Sequence, residues 1–289
     1  MTEKPKLMHR CFVKESLRKL VFERQLVPAD SERAYFRLTD CRIVRILDGR
    51  AVWQVNGRDY SVAAGDLLLL SSAKRRRIRS VETPEGLLFE TVSFSLTSID
   101  SRLASASVIF TGPDHIPAGS LAAGEGAVQF AAIAALAASP DAFAADEVRA
   151  RITILLSAIA RASESRSGGT MGAANCTLVI GAAAYLQEHY EEPLSEADVA
   201  AAVGVTPSGL SALFREYMGI GYADYLRRLR LGETIARLRE AKARGERMGV
   251  LDAALACGFG SSAGFYKAMR DVYGVSPKML LGDISRDNP

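Results

Sequence analysis

Apolar residues recur at helical spacing in two stretches of the last third of the chain. In each stretch four of them stand at i, i+3, i+4 and i+7, first Leu210, Leu213, Phe214 and Tyr217, and 55 residues later Phe265, Ala268, Met269 and Val272. An Ala-rich segment that ends in a glycine, Gly204 or Gly258, precedes each stretch. Because glycine adopts left-handed backbone geometry without steric cost, the pattern predicts a helix, a tight turn and a second helix, twice over.

Local signals mark where these helices begin. Ser195 with Asp198 predicts a capping box, and Thr206 followed by Pro207 predicts the start of the helix after the first glycine turn. Between the two units, the stretch from Tyr222 to about Lys242 predicts one long connecting helix. Four of its apolar residues are expected to pack on both units and fix their separation: Leu226, Leu229, Ile235 and Leu238.

The first half of the chain has a different pattern. Short apolar runs predict strands at 41–47, 51–55, 67–70 and 87–94. The pairs Asp48-Gly49 and Asn56-Gly57 stand between runs and predict hairpins. The pattern then becomes helical from Asp146 to Arg161.

Together these patterns predict an α+β chain in three parts. A β-barrel with helices occupies 1–162, a small, polar and Gly-rich flexible linker occupies 163–174, and an all-α unit occupies 175–289. In the last helix of the first part, four residues have the spacing of a coiled-coil seam: Val148, Ile152, Leu155 and Ile159. We predict that this helix forms a homodimer; the alternative is that the stripe packs on its own barrel.

From Leu178 onward the chain resembles the DNA-binding domain of the AraC/XylS family of transcription regulators. The resemblance is carried by 200–216 (AAAVGVTPSGLSALFRE), 225–231 (YLRRLRL), 254–262 (ALACGFGSS) and 274–277 (GVSP). It implies seven helices, of which the third and sixth enter the major groove of double-stranded DNA. The sequence departs from the family at Ala212, where members often carry a large polar or basic side chain. The passage 241–247 (AKARGER) is also longer than usual, and a longer helix or an exposed loop could absorb it.

The helix faces opposite the apolar stripes are the surfaces that DNA would meet. We predict base-edge contacts from Ser208, Ser211, Ala212, Ser262, Ala263, Tyr266 and Lys267, and phosphate contacts from Thr206, Arg215, Arg227 and Arg270. The alternative is that these are only the solvated faces of a helical bundle. Charge favours DNA, since 206–281 carries 12 Lys and Arg against 7 Asp and Glu.

The stretch 46–70 (ILDGRAVWQVNGRDYSVAAGDLLLL) resembles the cupin-like sensor half that is common in the same family. A small barrel of this kind can hold one ligand, and a pocket would involve Tyr35, Trp53 or Phe89; the alternative is that these rings are plain core. The basic run from Lys74 to Arg79 could bind an acidic ligand or a partner, although a solvated loop is the interpretation that we prefer.

Composition argues against catalysis and against export. A metal-dependent cupin enzyme needs clustered ligands, whereas His9, His115 and His189 are far apart in the sequence, so we expect no metal, no cofactor and no enzyme activity. The four cysteines are scattered and suggest neither a zinc site nor disulfides. No apolar run reaches the roughly 20 residues of a membrane span; the longest, 127–138, predicts a buried helix. We expect a cytoplasmic protein that is not bound to a membrane.

The expected function is that of a sequence-specific DNA-binding transcription regulator, controlled by a small effector in its first part. The alternatives are a constitutive DNA-binding protein whose barrel only dimerises, and a cupin-type enzyme fused to a DNA-binding domain. The expected partners are operator DNA, a second copy of the chain, a small-molecule effector and RNA polymerase.

Overall fold

The computed structural model describes residues 8–13, 20–29, 40–71, 76–100, 104–164 and 171–273. The chain divides into two compact units, Met1–Gly181 and Ala182–Pro289. The strands of the first unit are β1 (Met8–Val13), β2 (Leu20–Val27), β3 (Cys41–Asp48), β4 (Arg50–Val55), β5 (Arg58–Ala63), β6 (Leu67–Leu70), β7 (Arg76–Val81), β8 (Leu87–Phe94) and β9 (His115–Ile116). Its helices are α1 (Val108–Thr111), α2 (Leu121–Ala138) and α3 (Ala144–Glu164), and α4 (Met171–His189) spans the division between the units.

The strands form two antiparallel sheets that enclose one apolar core. One sheet has the order β1-β2-β8-β3-β6-β9, and the other has the order β5-β4-β7. Buried side chains from both sheets make up the core between them: Val27, Val44, Ile46, Ala51, Trp53, Val55, Val62, Leu68, Leu70, Ile78, Leu87 and Phe89. The expected barrel-like, α+β architecture of the first unit is confirmed.

Of the two expected hairpins, one is confirmed and one is wrong. Asn56 and Gly57 both have positive φ, 49° and 87°, and join β4 to β5 in a tight turn with Val55 paired to Arg58. At Gly49, by contrast, the chain passes from one sheet to the other, because β3 pairs with β6 and β8 while β4 pairs with β5 and β7. Gly49 also has positive φ, and a Cβ there would collide with the Gly86 carbonyl oxygen. The glycine signal was correct, but the partner strand cannot be deduced from the turn.

Helix α2 is longer than the apolar run 127–138 suggested, because Ser120 caps it and it begins at Leu121. Among the described residues it is the one helix that is long and apolar enough, by length and composition, to cross a membrane, a test that core helices of soluble proteins also pass. Phe130 and Ile133 are buried, and α2 packs against α3. We therefore interpret it as a core helix.

The expected helix at 146–161 is confirmed as α3, but its predicted role as a dimer seam is wrong. Val148, Ile152, Leu155 and Ile159 are each at most 1% exposed within the single chain. Their stripe packs inside the first unit, where α3 contacts α2 and α1. Side chains that are already covered cannot insert between those of a second copy.

Both ends of the stretch 163–174, where a flexible linker is expected, are helical. Helix α3 continues to Glu164 and α4 begins at Met171, so only 165–170 of the stretch 163–174 lie outside the described residues. Methionine and alanine favour helix, which explains why the stretch MGAA at 171–174 joins α4. The domain limits themselves stay a prediction.

The second unit is helical throughout its described residues, as expected. After the end of α4 it contains α5 (Glu196–Ala202), α6 (Pro207–Leu213), α7 (Tyr222–Ala243), α8 (Val250–Ala256) and α9 (Ser262–Tyr273). A π-helical turn, Phe214–Met218, continues α6. The seventh helix that the resemblance implies, after Ser276-Pro277, falls outside the described residues.

Charging the α3 stripe should unfold the first unit and should not release a folded monomer. The double substitution Leu155→Glu plus Ile159→Glu would place two carboxylates among apolar side chains, at a cost of several (~3–5) kcal/mol each. Chemical denaturation followed by circular dichroism measures this loss. The control is Ile154→Glu on the same helix, where the side chain is 46% exposed and the expected change is within about 0.5 kcal/mol. A double variant as stable as the control would contradict this packing.

Candidate nucleic-acid interface

The first helix-turn-helix is formed by α5, the turn at Gly204 and α6. Ser195 and Asp198 form the predicted capping box at the start of α5. Gly204 has a φ of 72°, and its amide and that of Val205 donate to the carbonyls of Ala201 and Ala200 at 3.2 and 3.0 Å. This pair of bonds is a Schellman motif, which satisfies the last carbonyls of α5 while the chain turns.

Helix α6 begins as the sequence predicts. The Thr206 side chain accepts a hydrogen bond from the Gly209 amide at 3.1 Å, and Pro207 occupies the first helical position. Thr206 therefore acts as a helix cap. Its predicted phosphate contact stays a prediction, since the residue is also exposed.

The second helix-turn-helix repeats this construction with α8, Gly258 and α9. Gly258 has a φ of 84°, and the amides of Gly258 and Phe259 donate to the carbonyls of Leu255 and Ala254 at 3.0 and 3.1 Å. The Ser261 hydroxyl then accepts from the Gly264 amide at 3.2 Å at the start of α9. The sequence duplication is thus a structural duplication.

The predicted apolar stripes are the buried faces of α6 and α9. Leu210, Leu213 and Phe214 are buried on the first, and Phe265, Ala268 and Met269 on the second. Aromatic rings meet at the edges of both: Phe214 contacts Tyr225 and Phe259 contacts Phe265, with centroids 5.7 and 5.3 Å apart. The opposite faces are consequently the ones available to a partner.

The exposed face of α6 is small and weakly polar. Ser208 and Ala212 are exposed, and Arg215 is exposed in the π-helical turn that follows. Ser211 is half-buried and its hydroxyl donates to the Glu196 carboxylate. A base contact from Ser211 would have to break this internal bond, which sequence reasoning did not anticipate because Glu196 lies on a different helix.

The exposed face of α9 is larger and more basic. Ser262, Ala263, Tyr266, Lys267 and Arg270 are all exposed, and the Tyr266 ring rests against Phe265 with centroids 5.1 Å apart. This support fixes an aromatic side chain at the surface beside a lysine and an arginine. On α7, Arg227 is exposed and pairs with Asp224 at 2.8 Å. The DNA contacts assigned to these residues stay predictions.

The predicted connecting helix is confirmed as α7, whose 22 residues span about 33 Å at ~1.5 Å per residue. Leu226, Leu229, Ile235 and Leu238 are buried. The long passage 241–247 is a closed helix end, since the amides of Gly245 and Glu246 donate to Lys242 and Ala241 at 3.0 and 2.8 Å. Residues 241–243 therefore extend α7, and the exposed residues 244–247 follow its closed end.

A clamp between α7 and the end of α4 was not foreseen from the sequence. Arg230 donates from Nε to the Tyr190 carbonyl and from Nη2 to the Glu192 carbonyl, both at 2.7 Å. Arg237 donates to the Tyr190 hydroxyl at 3.2 Å and pairs with Glu191. Burial raises the pKa of Tyr190 to about 12, so the hydroxyl stays protonated at neutral pH. Nothing in the sequence distinguished these arginines from solvated ones.

In the first unit, the residues predicted to line a ligand pocket are placed only in part. Trp53 and Phe89 lie in the core between the sheets, with ring centroids 5.6 Å apart in an edge-to-face contact. Tyr35 lies outside the described residues. Within the described ranges, no three His, Cys, Asp or Glu side chains stand close enough together to hold a metal ion.

Comparison with known proteins agrees with this geometry. Residues 199–282 match the family described as "Helix-turn-helix domain". The HTH-type transcriptional regulator GlxA of Rhizobium meliloti (strain 1021) is 32% identical over 90 residues, which are 31% of this chain. The match spans only 26% of GlxA, about a quarter of its length.

Two solved structures share the fold of almost the whole chain. Unsaturated fatty acid-bound ToxT from Vibrio cholerae strain SCE256 aligns with a TM-score of 0.58 at 13% identity, over 97% of both chains. ToxT from Vibrio cholerae O395 bound to (E)-4-(8-methylnaphthalen-1-yl)but-3-enoic acid also gives 0.58, at 12% identity over 90% of this chain and 98% of that one. At this identity the likeness establishes the fold alone.

The second unit is therefore a DNA-binding domain built of two helix-turn-helix units. The chain as a whole has the fold of the two ToxT structures, with a barrel-like first unit and a helical second unit.

Alanine at the two turn glycines should have unequal effects. At Gly204 a Cβ would meet nothing within 4 Å. Gly204→Ala should therefore lower the free energy of unfolding only by the strain of left-handed backbone geometry, about 1–2 kcal/mol. At Gly258 a Cβ would lie 2.5 Å from the Tyr190 carbonyl oxygen and 2.8 Å from Arg230 Nε. Displacing the clamp should add about 1.5–3 kcal/mol, and urea denaturation measures the difference. Equal losses of stability at the two positions would mean that the Arg230 hydrogen bonds can shift to make room for the Cβ at no cost.

Proposed function

We propose that this protein is a sequence-specific DNA-binding transcription regulator whose second unit binds operator DNA through α6 and α9. The observation that carries the proposal is the duplicated helix-turn-helix, in which each recognition helix buries one face and exposes the other. The match of 199–282 to the helix-turn-helix family supports it. No catalytic role is proposed.

The connecting helix supports binding to two successive major grooves. One turn of B-DNA is about 34–36 Å, and α7 with its 22 residues is about 33 Å long. Because α7 is buried against both helix-turn-helix motifs and ends in a closed turn, α6 and α9 are held at a fixed separation. A modest DNA bend can absorb the remaining mismatch.

The two helix-turn-helix motifs are proposed to contribute unequally to the recognition of base sequence. Helix α6 offers Ser208 and Ala212, whose short side chains reach few base edges, so Arg215 acts mainly through phosphate. Helix α9 offers Tyr266 and Lys267, which can meet a thymine methyl group and a guanine edge respectively. We therefore assign most of the base discrimination to α9.

The first unit is proposed to bind a small effector between its two sheets. The fatty acid and the butenoic acid in the ToxT structures support this, since both are small molecules held by a protein of the same fold. The alternative is a constitutive regulator whose barrel only mediates self-association. A second copy would have to use a surface other than the buried stripe of α3, and an activator would in addition contact RNA polymerase. We place such a DNA-binding regulator in the cytoplasm.

Lys267→Ala should weaken operator binding and relax discrimination at one or two base positions, by about 1–3 kcal/mol if the lysine contacts guanine. Arg215→Ala and Arg270→Ala should instead weaken binding to every sequence alike and lower the salt dependence by about one unit each. Binding isotherms on operator and random DNA at several salt concentrations separate the two effects. Equal losses on both DNAs for Lys267→Ala would assign it to phosphate.

The spacing of the two protected grooves should be fixed. Inserting about five base pairs, half a helical turn, between them moves one groove to the opposite side of the duplex. Affinity of the full-length protein should then fall about tenfold or more, or ~1.4 kcal/mol. The control is an insertion of about ten base pairs outside the footprint, which should change nothing. Unchanged affinity after the inner insertion would mean that the two helix-turn-helix motifs bind DNA independently and that α7 is not a rigid connector.

A further inference from the structure

The inner face of the barrel turns from apolar to basic at one end. Arg42 on β3 is paired with Leu70 and with Ser93, and Arg76 on β7 is paired with Val55. Leu70 and Val55 belong to the core between the sheets. Because directly paired residues point to the same face of a sheet, Arg42, Arg76 and Ser93 face the same interior. We call these three residues the arginine end.

The arginine end has an excess of positive charge. Arg76 is only 5% exposed and donates to three backbone carbonyls, those of Asp40, Leu70 and Ser71, each at 3.4 Å. The Asp40 carboxylate is 3.7 Å from Arg76 Nη2 and 3.3 Å from Arg42 Nε. Among these side chains, one carboxylate serves two guanidinium groups, which leaves a net charge of one positive unit.

The same imbalance appears in the titration of Arg76. Burial, together with the charge of Arg42, lowers its pKa to about 10, while Asp40 opposes the shift. The expectation that the run from Lys74 to Arg79 is a solvated loop is therefore wrong for Arg76. Its side chain lies inside the fold because strand alternation turns it inward.

Two buried polar atoms on the inner face also have no hydrogen-bond partner within the part of the chain that the structure describes. They are the Ser93 hydroxyl oxygen and Trp53 Nε1. Trp53 is two residues along β4 from Val55, the partner of Arg76, a distance of about 7 Å. Buried donors without acceptors are costly, and an oxygen-bearing ligand would satisfy them.

We propose that the arginine end binds the carboxylate of a small organic acid, whose apolar body lies against the neighbouring core side chains toward Trp53. Arg42 and Arg76 donate to the carboxylate oxygens and the Ser93 hydroxyl adds a third donor. A single negative charge balances the single excess positive charge, whereas a phosphate dianion would exceed it. The apolar side chains beyond, Val44, Val55 and Leu70, disfavour an ion that is polar all round. This inference rests on the proposed effector site of the first unit and names its ligand class.

Trp53 is the single tryptophan of the chain and reports binding directly. The full-length protein is titrated with hexanoate, octanoate and cinnamate, with the neutral amides of the same acids, and with inorganic phosphate, while tryptophan emission and binding heat are followed. Saturable binding of at least one carboxylate is expected, with its amide about tenfold weaker or worse. If no carboxylate binds, or if the amides or phosphate bind as tightly, the assignment is overturned.

A matched pair of variants locates the site. Arg42 and Arg45 lie on the same strand with side chains that are each 24% exposed, but Arg45 points to the opposite face and pairs with Glu90. Arg42→Gln should weaken carboxylate binding about tenfold or more, and Arg45→Gln should leave it unchanged. Equal effects of the two substitutions would overturn the inference. Thermal unfolding of each variant verifies that both are folded.

Operator binding separates this inference from the proposed effector control. Carboxylates that bind through Arg42 without altering operator affinity would leave the site standing and remove the control. Neutral molecules that alter operator affinity through the first unit, while carboxylates do not bind, would keep the control and overturn the ligand class.

Discussion

The burial of α7 is the constraint on which the DNA-binding unit depends. Most of the stability of a helix in a protein comes from the packing of its apolar residues, and those of α7 are covered on both sides by the helix-turn-helix units. Leu231 and Ile235 share a core with Phe259, Phe265 and Met269 of the second helix-turn-helix. At the other end of α7, Tyr225 contacts Phe214 of the first helix-turn-helix. One element therefore holds two recognition helices, and their separation is a property of its length.

The arginine clamp completes this arrangement. Arg230 donates to the carbonyls of Tyr190 and Glu192, just after the end of α4, and the Tyr190 carbonyl lies against Gly258 in the second turn. A side chain at position 258 has no room, so the turn can approach the carbonyls only as glycine. The second helix-turn-helix is thus held against the end of α4 by a packing contact and a charged hydrogen bond at the same place. The turn of the first helix-turn-helix, at Gly204, is open to solvent.

The barrel of the first unit handles its charges by strand alternation. On the outer face of the large sheet, the buried Glu90 receives Arg24 and Arg45 from the two neighbouring strands. On the inner face, Arg42 and Arg76 share Asp40. The two arginines of β3, which are three residues apart, therefore lie on opposite sides of one sheet. Buried charges of this kind do little for stability, and their retention on the inner face is more easily understood as recognition than as packing.

The sequence by itself determined the features that arise within a few residues of one another. The helix–turn–helix repeat, the Ser195 and Thr206 caps, the turns at Gly204 and Gly258, and the Asn56-Gly57 hairpin all follow from local backbone geometry and helical spacing. What depended on distant partners could be decided only by the tertiary structure. The stripe on α3 has the spacing of a seam, but α2 covers it. Asp48-Gly49 has the signal of a hairpin, but its strands join different sheets. Arg76 lies in a run of basic residues, but the register of β7 turns it into the core. In each case the local pattern specifies which face a residue lies on, and only the fold specifies what that face meets.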